Sequence, residues 1–232
     1  MIVVYDAVIF YAMPNEIGKE PLEGYTIIGE PIYPEGLPDC VIRVEEKGAQ
    51  KIMTVETGAG KERAEKAARF ILERYSPEKI LIVGTCGAMR RELKTGDIII
   101  CDPIFAEIFT EECAEPLLLP AIHPEDRLRS LAIEVLGEER LGENLTILYH
   151  EWPQKEYPQI AVVEMEDYWI GSVAQEKNIP FLAVRVVMEP YRERIIPREE
   201  RTQKYQTWRR ERFIRITTIL QNKFLLPFLQ KL

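Results

Sequence analysis

The segment from Val163 to Glu189 reads VEMEDYWIGSVAQEKNIPFLAVRVVME and joins two apolar strands through one helix. The first strand is the apolar run from Ile160 to Val163, which is followed by Glu-Met-Glu. The spacing of the residues after it predicts a helix over Asp167 to Lys177. An Asn-Ile-Pro break comes next, and the apolar run from Ile179 to Val187 predicts a second strand. This order is typical of an α/β sheet, in which ligand sites lie at the carboxyl ends of the strands.

Three carboxylates stand where these elements begin or end, namely Glu164, Glu166 and Glu189. Side chains that follow two strands of one sheet can converge on one crevice, so these acids are candidates for binding a sugar and donating a proton. The competing interpretation is that Glu164 and Glu166 are solvated charges that flank the helix. A Glu-x-Glu motif is weak evidence by itself, so the choice depends on the rest of the chain.

Three further segments end in small or acidic residues after an apolar run. Residues 52 to 66 read IMTVETGAGKERAEK, which predicts a strand, a glycine turn and a helix. Residues 79 to 100 read KILIVGTCGAMRRELKTGDIII, in which a strand runs directly into Gly84. Residues 7 to 16 read AVIFYAMPNE, a buried-type strand followed by a carboxylate. Because glycines at such turns let the backbone approach a ligand closely, these strand ends are predicted to form one site.

The order of elements predicts an α/β fold with a central mixed β-sheet flanked by helices. Strands and helices alternate as far as Val187, and 232 residues with 46% hydrophobic content suffice for one domain over residues 1–232. Beyond Pro190 the apolar spacing predicts a terminal amphipathic helix that packs on the sheet. The basic cluster Arg209, Arg210 and Arg212 is interpreted as a solvated face of this helix rather than a nucleic-acid surface, because glutamates lie nearby.

Composition excludes several classes of partner. Thirty basic against thirty-eight acidic residues give a net charge of −8, which argues against nucleic acid as the main partner. The chain shows no signal-peptide pattern and no apolar run of membrane-spanning length, so a cytoplasmic location without membrane contact is expected. The four cysteines have no paired metal-ligand spacing and are expected to be free thiols. We expect neither a metal nor a cofactor.

Two tempting motifs do not fit their chemistry. Gly58-Ala59-Gly60-Lys61 looks like a phosphate-binding loop, but Val55 stands where the first glycine belongs and Glu62 where a hydroxyl should bind magnesium. The only histidines, His123 and His150, have no nucleophilic serine or cysteine context and are interpreted as surface or structural residues.

Taken together, the segments resemble the purine nucleoside phosphorylase and nucleosidase superfamily, and most closely its methylthioadenosine/S-adenosylhomocysteine nucleosidase-like branch. The matching pieces occur in the family's order between residues 7 and 189. They are AMPNE (Ala12 to Glu16), TGAGKERAEKAA (Thr57 to Ala68), VGTCGAMRRELKTGDIII (Val83 to Ile100), VEMEDYWIGSVA (Val163 to Ala174) and IPFLAVRVVME (Ile179 to Glu189). The resemblance implies a nucleoside phosphorylase-like fold, a small-molecule nucleoside substrate and a homo-oligomer.

The resemblance also implies catalytic and sugar-binding roles for individual residues. Glu16 matches the family's water-activating glutamate, and Arg185 matches an arginine that helps to fix that water. Glu166 matches the ligand of the ribose hydroxyls, with Met165 packing on the sugar and Glu164 beside them. Crowding of carboxylates in a partly dry pocket raises at least one of their pKa values, which suits an acid that works near neutral pH.

The remaining implied contacts concern the purine base. Thr85 and Gly87 line the turn near the sugar and the base, and Trp152 lies with Tyr149 where the family places residues that sandwich the base. Core packing is an equally good interpretation of this aromatic pair. Glu189 stands where the family usually has an aspartate that protonates the leaving base, and the longer side chain is a departure from that pattern.

A second departure concerns the nucleophile. The family's phosphorylases place an arginine in the strand before the glycine turn, whereas residues 81 to 83 are Leu-Ile-Val. The sequence therefore predicts a nucleosidase of purine metabolism that hydrolyses the N-glycosidic bond of purine nucleosides or 5′-thio-modified adenosines and releases free base. The alternatives are a phosphate-dependent purine nucleoside phosphorylase and a non-catalytic nucleoside-binding protein.

Overall fold

The structure is a computed structural model that describes residues 4–17, 20–109, 116–148, 157–191 and 203–232. Side chains are not described for Asn15, Glu139 and residues 203–210.

A single mixed sheet dominates the described part of the chain. Its strands are β2 (Ala7–Tyr11), β3 (Thr26–Ile27), β4 (Val41–Lys47), β5 (Gln50–Glu56), β7 (Ile80–Ala88), β8 (Ile98–Ile108), β9 (Leu117–Leu118), β10 (Leu141–Thr146), β11 (Ile160–Glu164) and β12 (Phe181–Glu189), while β1 (Val4–Tyr5) pairs separately with β6 (Ser76–Pro77). The strand order is β11-β10-β8-β12-β7-β2-β5-β4-β3, with β9 added beside β8. The four central neighbours β5, β2, β7 and β12 are parallel to one another, so their carboxyl ends share one edge.

One end of this sheet closes on itself. Strand β11 pairs with β10 and also, antiparallel, with β7, through Val162 opposite Ala88 and Val163 opposite Gly87. The strands β7, β12, β8, β10 and β11 therefore form a closed ring. Closure brings the Glu-Met-Glu end of β11 against the glycine turn of β7, which explains how distant segments reach one site.

Helices cover both faces of the sheet. They are α1 (Pro14–Ile17), α2 (Lys61–Arg74), α3 (Asp126–Leu136), α4 (Asp167–Glu176), α5 (Gln203–Leu220) and α6 (Leu226–Lys231), and a π-helical turn over Gln221–Leu225 joins the last two. Helices α2 and α4 pack in one hydrophobic cluster with β2, β5 and β7. On the other face, α3 and the terminal helices pack over Ile9, Leu81 and Val83. None of the helices in the described ranges is long and apolar enough to span a membrane.

The fold predicted from the sequence is confirmed, including the mixed sheet and the terminal helix. The helix expected over Asp167 to Lys177 runs from Asp167 to Glu176, and Ile216, Leu220 and Phe224 of the terminal helices are fully buried. The prediction of a solvated basic face is wrong for Arg212. This side chain is 8% exposed, and its Nη1 donates to the carbonyl of Met188 at 3.0 Å.

The described cysteines are free thiols, as expected. Cys40, Cys86 and Cys101 are all buried and form no disulfide, whereas Cys113 lies outside the described residues. Burial raises the pKa of Cys86 and of Cys101 well above the ordinary thiol value, so both side chains are neutral. A buried neutral thiol is unreactive.

Candidate active site

Glu16 lies at the end of β2, on the short helix α1, and is 2% exposed. Its Oε2 accepts hydrogen bonds from the backbone N–H groups of Ala12 at 2.9 Å and Met13 at 3.0 Å. Its Oε1 accepts from the N–H of Thr85 at 2.8 Å and from the Thr85 hydroxyl at 3.0 Å. Four donors therefore fix the carboxylate, and the Thr85 hydroxyl is the one that can rotate away to admit a water molecule.

Gly84 makes this arrangement possible by having no side chain. A Cβ atom at this position would lie 2.8 Å from Oε1 of Glu16 and closer still to Nη1 of Arg185. The glycine therefore admits the two catalytic candidates to the same point on β7. Its role differs from the sequence-based interpretation that glycines here make room for the ligand.

Arg185 is a fully buried cation in the middle of β12, only 1% exposed. Its Nη2 lies 2.6 Å from Oδ1 of Asp167, 3.0 Å from Oε2 of Glu164 and 3.4 Å from Oε2 of Glu166. Its Nε donates to the same Asp167 oxygen at 3.0 Å, and its Nη1 donates to the carbonyl of Thr85 at 3.3 Å. We refer to Arg185, Glu164, Glu166 and Asp167 as the buried cluster.

Glu164 is surrounded by donors from three elements. Its Oε1 accepts from Nδ2 of Asn144 at 3.1 Å and from the hydroxyl of Thr146, both on β10. Its Oε2 accepts from the backbone N–H groups of Glu166 at 2.5 Å and Asp167 at 2.8 Å. Together with Arg185, these contacts use both oxygens, so Glu164 joins β10, β11 and the start of α4.

Glu166 has fewer partners than its neighbours. Its Oε1 accepts from the backbone N–H of Gly60 at 2.9 Å, and its Oε2 faces Arg185. Burial, with the nearby negative charge of Glu164, outweighs the attraction of Arg185 and raises the pKa of Glu166 to about 8. Burial is the larger cause of this raised pKa and the neighbouring carboxylates add to it, so Glu166 holds a proton at neutral pH.

Asp167 is the second carboxylate whose protonation is perturbed. It is completely buried, and its Oδ2 accepts from Nδ2 of Asn144 at 2.7 Å. Burial, with the charge of Glu164, raises its pKa to about 7, against the attraction of Arg185 and a hydrogen bond from Cys101.

The other sequence-predicted residues border the cluster. Thr85 and Gly87 lie on β7, where Gly87 is opposite both Val163 of β11 and Glu189 of β12. Glu189 is half-buried at the end of β12 and is four residues beyond Arg185, or about 13 Å along an extended strand. The structure thus places Glu189 at the same sheet edge as the buried cluster but well separated from Arg185. Trp152, Tyr149 and His150 lie outside the described residues.

A cavity of about 640 Å³ opens beside the buried cluster. Thr57, Ala59, Gly60, Leu148 and Met165 line its inner part. Its outer part carries charged side chains, which we call the charged wall: Asp39, Lys61, Glu62, Arg63 and Lys66. Gly60, whose N–H binds Glu166, also belongs to this lining, so the cavity and the cluster are adjacent.

Sequence reasoning missed three polar residues of the site. The sequence predicts Asp167 only as the start of a helix, although this residue directly follows the Glu-Met-Glu motif. Asn144 and Thr146 come from β10, in a region with no motif, and both are completely buried. Strand β10 reads LGENLT and is polar at three of its six positions, so its own sequence does not single out these two residues. In the described part of the chain, no group of three or more His, Cys, Asp or Glu side chains is arranged so that it could hold a metal ion.

Comparison with known proteins identifies the family. Residues 6–151 match the family model described as the phosphorylase superfamily, so the chain belongs to this superfamily. A 5′-methylthioadenosine/S-adenosylhomocysteine nucleosidase from Listeria monocytogenes is 26% identical over 167 residues, which cover 63% of this chain and 72% of the relative. The nucleosidase of the same name from Aeromonas salmonicida is 25% identical over 171 residues, covering 66% and 74%.

Solved structures show the same fold. Futalosine hydrolase of Helicobacter pylori superposes with a TM-score of 0.79 at 18% identity, covering 98% of both chains. The 5′-methylthioadenosine/S-adenosylhomocysteine nucleosidase of Helicobacter pylori, in complex with a pyrrolidine ligand, also has a TM-score of 0.79 at 18% identity and covers 98% of this chain and 99% of that one. The resemblance and fold class inferred from the sequence are therefore confirmed, and the predicted enzyme class, a nucleosidase, agrees with the names of the relatives.

Proposed function

We propose that this chain is a nucleosidase that uses water to cleave the N-glycosidic bond of purine nucleosides or 5′-thio-modified adenosines. The observation that carries the proposal is the juxtaposition of Glu16, Gly84 and Arg185, in which a fixed carboxylate and a buried guanidinium flank one glycine. This geometry supports positioning of a small nucleophile between a hydrogen-bond acceptor and a cation. The names of the relatives support the same reaction class.

Cleavage builds positive charge on the ribose and negative charge on the departing base. Glu16 accepts a proton from the attacking water after the Thr85 hydroxyl rotates away from Oε1. Because the other three donors to Glu16 are backbone N–H groups, the carboxylate stays in place while the water enters. Nη1 of Arg185, which lies beside Gly84 next to Glu16, donates a hydrogen bond to this water.

Glu166 binds the ribose hydroxyls in this proposal. It has the smallest set of protein donors in the buried cluster and a pKa raised to about 8, so it can both donate and accept hydrogen bonds. Met165 lines the adjoining cavity and packs on the sugar, and the cavity supplies room for a 5′ substituent. Glu164, whose oxygens already bind four other residues and Arg185, holds the site together rather than contacting the sugar.

Glu189 protonates the leaving base. It ends β12, four residues beyond Arg185, at the sheet edge that also carries Glu16 and Thr85. Trp152 is proposed to stack on the base. The segment Leu81-Ile82-Val83 is at most 1% exposed and provides no cation, which favours water over phosphate as nucleophile. We also propose that the protein forms a homo-oligomer and is located in the cytoplasm.

The proposal is tested by chromatography of a nucleoside panel incubated with the protein, with and without inorganic phosphate. We expect release of free base at a rate that phosphate does not change. Ribose 1-phosphate as the main product would instead establish a phosphorylase. Saturable nucleoside binding without turnover would establish a binding protein, and neither binding nor turnover would reject all three.

A further inference from the structure

Asp167 is the only member of the buried cluster without a role in the proposed reaction. It is completely buried, and among the described residues its side chain contacts Arg185, Asn144 and Cys101, all of which project from strands of the closed ring. Nε and Nη2 of Arg185 face Asp167, whereas Nη1 lies beside Glu16 at Gly84, so the guanidinium separates the two acids. A substrate cannot reach it without displacing the guanidinium.

The contact between Asp167 and Arg185 uses one whole edge of the guanidinium. Nε and Nη2 both donate to Oδ1, at 3.0 Å and 2.6 Å, and the 2.6 Å bond is the shortest hydrogen bond that Arg185 makes among the described residues. Two donors on one acceptor fix the plane of the group as well as its position. The opposite edge, Nη1, is then directed to the Thr85 carbonyl, beside Gly84 and Glu16.

Asp167 is itself held firmly. Asn144 donates to its second oxygen, and its backbone N–H donates to Glu164. It is also the first residue of α4, where the partial positive charge of the helix end stabilises a carboxylate. Asp167 is therefore held rigidly by its own contacts. Arg185 has a long flexible side chain, so its orientation depends on such a rigid partner.

We propose that Asp167 is a positioning residue that holds the Nε and Nη2 edge of Arg185, so that Nη1 faces the point between Glu16 and Thr85 where the nucleophile binds. The inference rests on the proposed function for the identity of that nucleophile. Asp167 itself does not contact the substrate in this arrangement, because Arg185 lies between them.

A double-mutant cycle in kcat tests the proposal with Asp167→Asn, Arg185→Gln and the combined variant. Asp167→Asn should lower kcat by roughly 10²-fold, the loss expected when a catalytic group is misplaced by about 1 Å. Its KM should change much less, because Glu166 and Met165 stay in place. In the Arg185→Gln background, Asp167→Asn should lower kcat by no more than about twofold further, since the group that Asp167 positions is already gone.

Glu45→Gln is the matched control. Glu45 is also a buried carboxylate, 1% exposed, and accepts from the Leu22 N–H and the Thr54 hydroxyl. It lies opposite Ile52, near the start of β5 and away from the site at the end of that strand. Its substitution should leave kcat unchanged, even where it lowers the melting temperature. If losses from Asp167→Asn and Arg185→Gln multiply in the double variant, the positioning role is rejected.

A second measurement does not depend on activity. In nitrogen-edited NMR spectra, the Arg185 Nε–H, assigned by its loss in Arg185→Gln, should exchange slowly with water in the parent protein and rapidly in Asp167→Asn. If Asp167→Asn does not fold, Asp167→Ser replaces it in both experiments. Unchanged protection overturns the positioning role, whereas absence of base release by the parent protein overturns only the proposed function.

Discussion

The charged wall lines the cavity and the buried cluster lies behind its Gly60 and Met165 lining, and the two groups differ in their contact with water. Every member of the buried cluster is at most 6% exposed, whereas Lys66 and Glu62 of the wall expose 59% and 79% of their side chains. In the cluster one guanidinium faces three carboxylates, and retained protons compensate for the excess charge.

The wall instead balances its charges in separate surface pairs. Arg63 pairs with Asp39 at 2.5 Å and Lys66 pairs with Glu62 at 2.7 Å, while Lys61 lies 4.3 Å from the centre of the Trp169 ring. Water and salt screen such pairs, so each contributes little. Charges in the cluster therefore depend on one another, whereas charges in the wall act almost independently.

Substitution of Glu16 should give the largest effect, since four donors fix this carboxylate beside Arg185 of the cluster. Glu16→Gln should lower kcat by roughly 10²-fold or more, the range for loss of a general base, while nucleoside affinity stays near that of the parent. Steady-state kinetics together with equilibrium binding of a nucleoside separate the two quantities. Unchanged kcat would show that the nucleophile is activated elsewhere and that the cluster is only structural.

Gly84→Ala tests how tightly the cluster is packed against Glu16. The added methyl group would overlap Oε1 of Glu16 and Nη1 of Arg185, and overpacking of this kind costs about 1–3 kcal/mol in the free energy of unfolding. Urea denaturation measures the loss. An Arg185→Ala background removes the tighter of the two overlaps, so the additional cost should shrink; an equal cost in both backgrounds would contradict this packing.

Much of the fold and part of the site follow from local sequence patterns. The segment from Val163 to Glu189 predicts its strand, helix and strand, because apolar spacing and the Asn-Ile-Pro break are local signals. The resemblance supplied Glu16 and Arg185 as site residues, and the structure places them on either side of Gly84.

The remaining features depend on contacts between distant segments. Asn144 and Thr146 reach Glu164 only because β10 pairs with β11 in one particular register. The turn of Arg212 towards the Met188 carbonyl is decided by packing of the terminal helix, which helical periodicity alone does not specify. The cavity joins residues 36 to 40 to α2, and no pattern within either segment indicates that contact.

Glu166→Gln should change how stability depends on pH. The pKa of Glu166 is raised to about 8 in the folded protein, from an ordinary value of 4.5, so the folded state binds more protons between these two values. The free energy of unfolding therefore falls as pH rises through this window, by at most about 1.4 kcal/mol per pH unit for one proton.

Glutamine does not titrate, so Glu166→Gln should be stabilised relative to the parent as pH rises from about 5.5 to 8, with a residual slope from Asp167. Chemical denaturation at several pH values measures the difference. Glu176→Gln, a change at an exposed partner of Arg69, should leave the slope of the parent unaltered. Parallel curves for Glu166→Gln and parent would show that Glu166 is not the protonated member of the cluster.

Glu62→Gln should have the smallest effect, because it removes one charge from the exposed wall. The Lys66 hydrogen bond lowers the pKa of Glu62, but both side chains stay largely in water and exchange this contact for hydration at little net cost. The melting temperature should therefore change by no more than about 1 °C, and the change should fade as salt is raised above the level at which surface pairs are screened. Calorimetry at low and high salt measures both quantities. A decrease in melting temperature that persists in high salt would mean that the charged wall is coupled to the buried cluster through the cavity. The contrast between the two groups of charges would then be wrong.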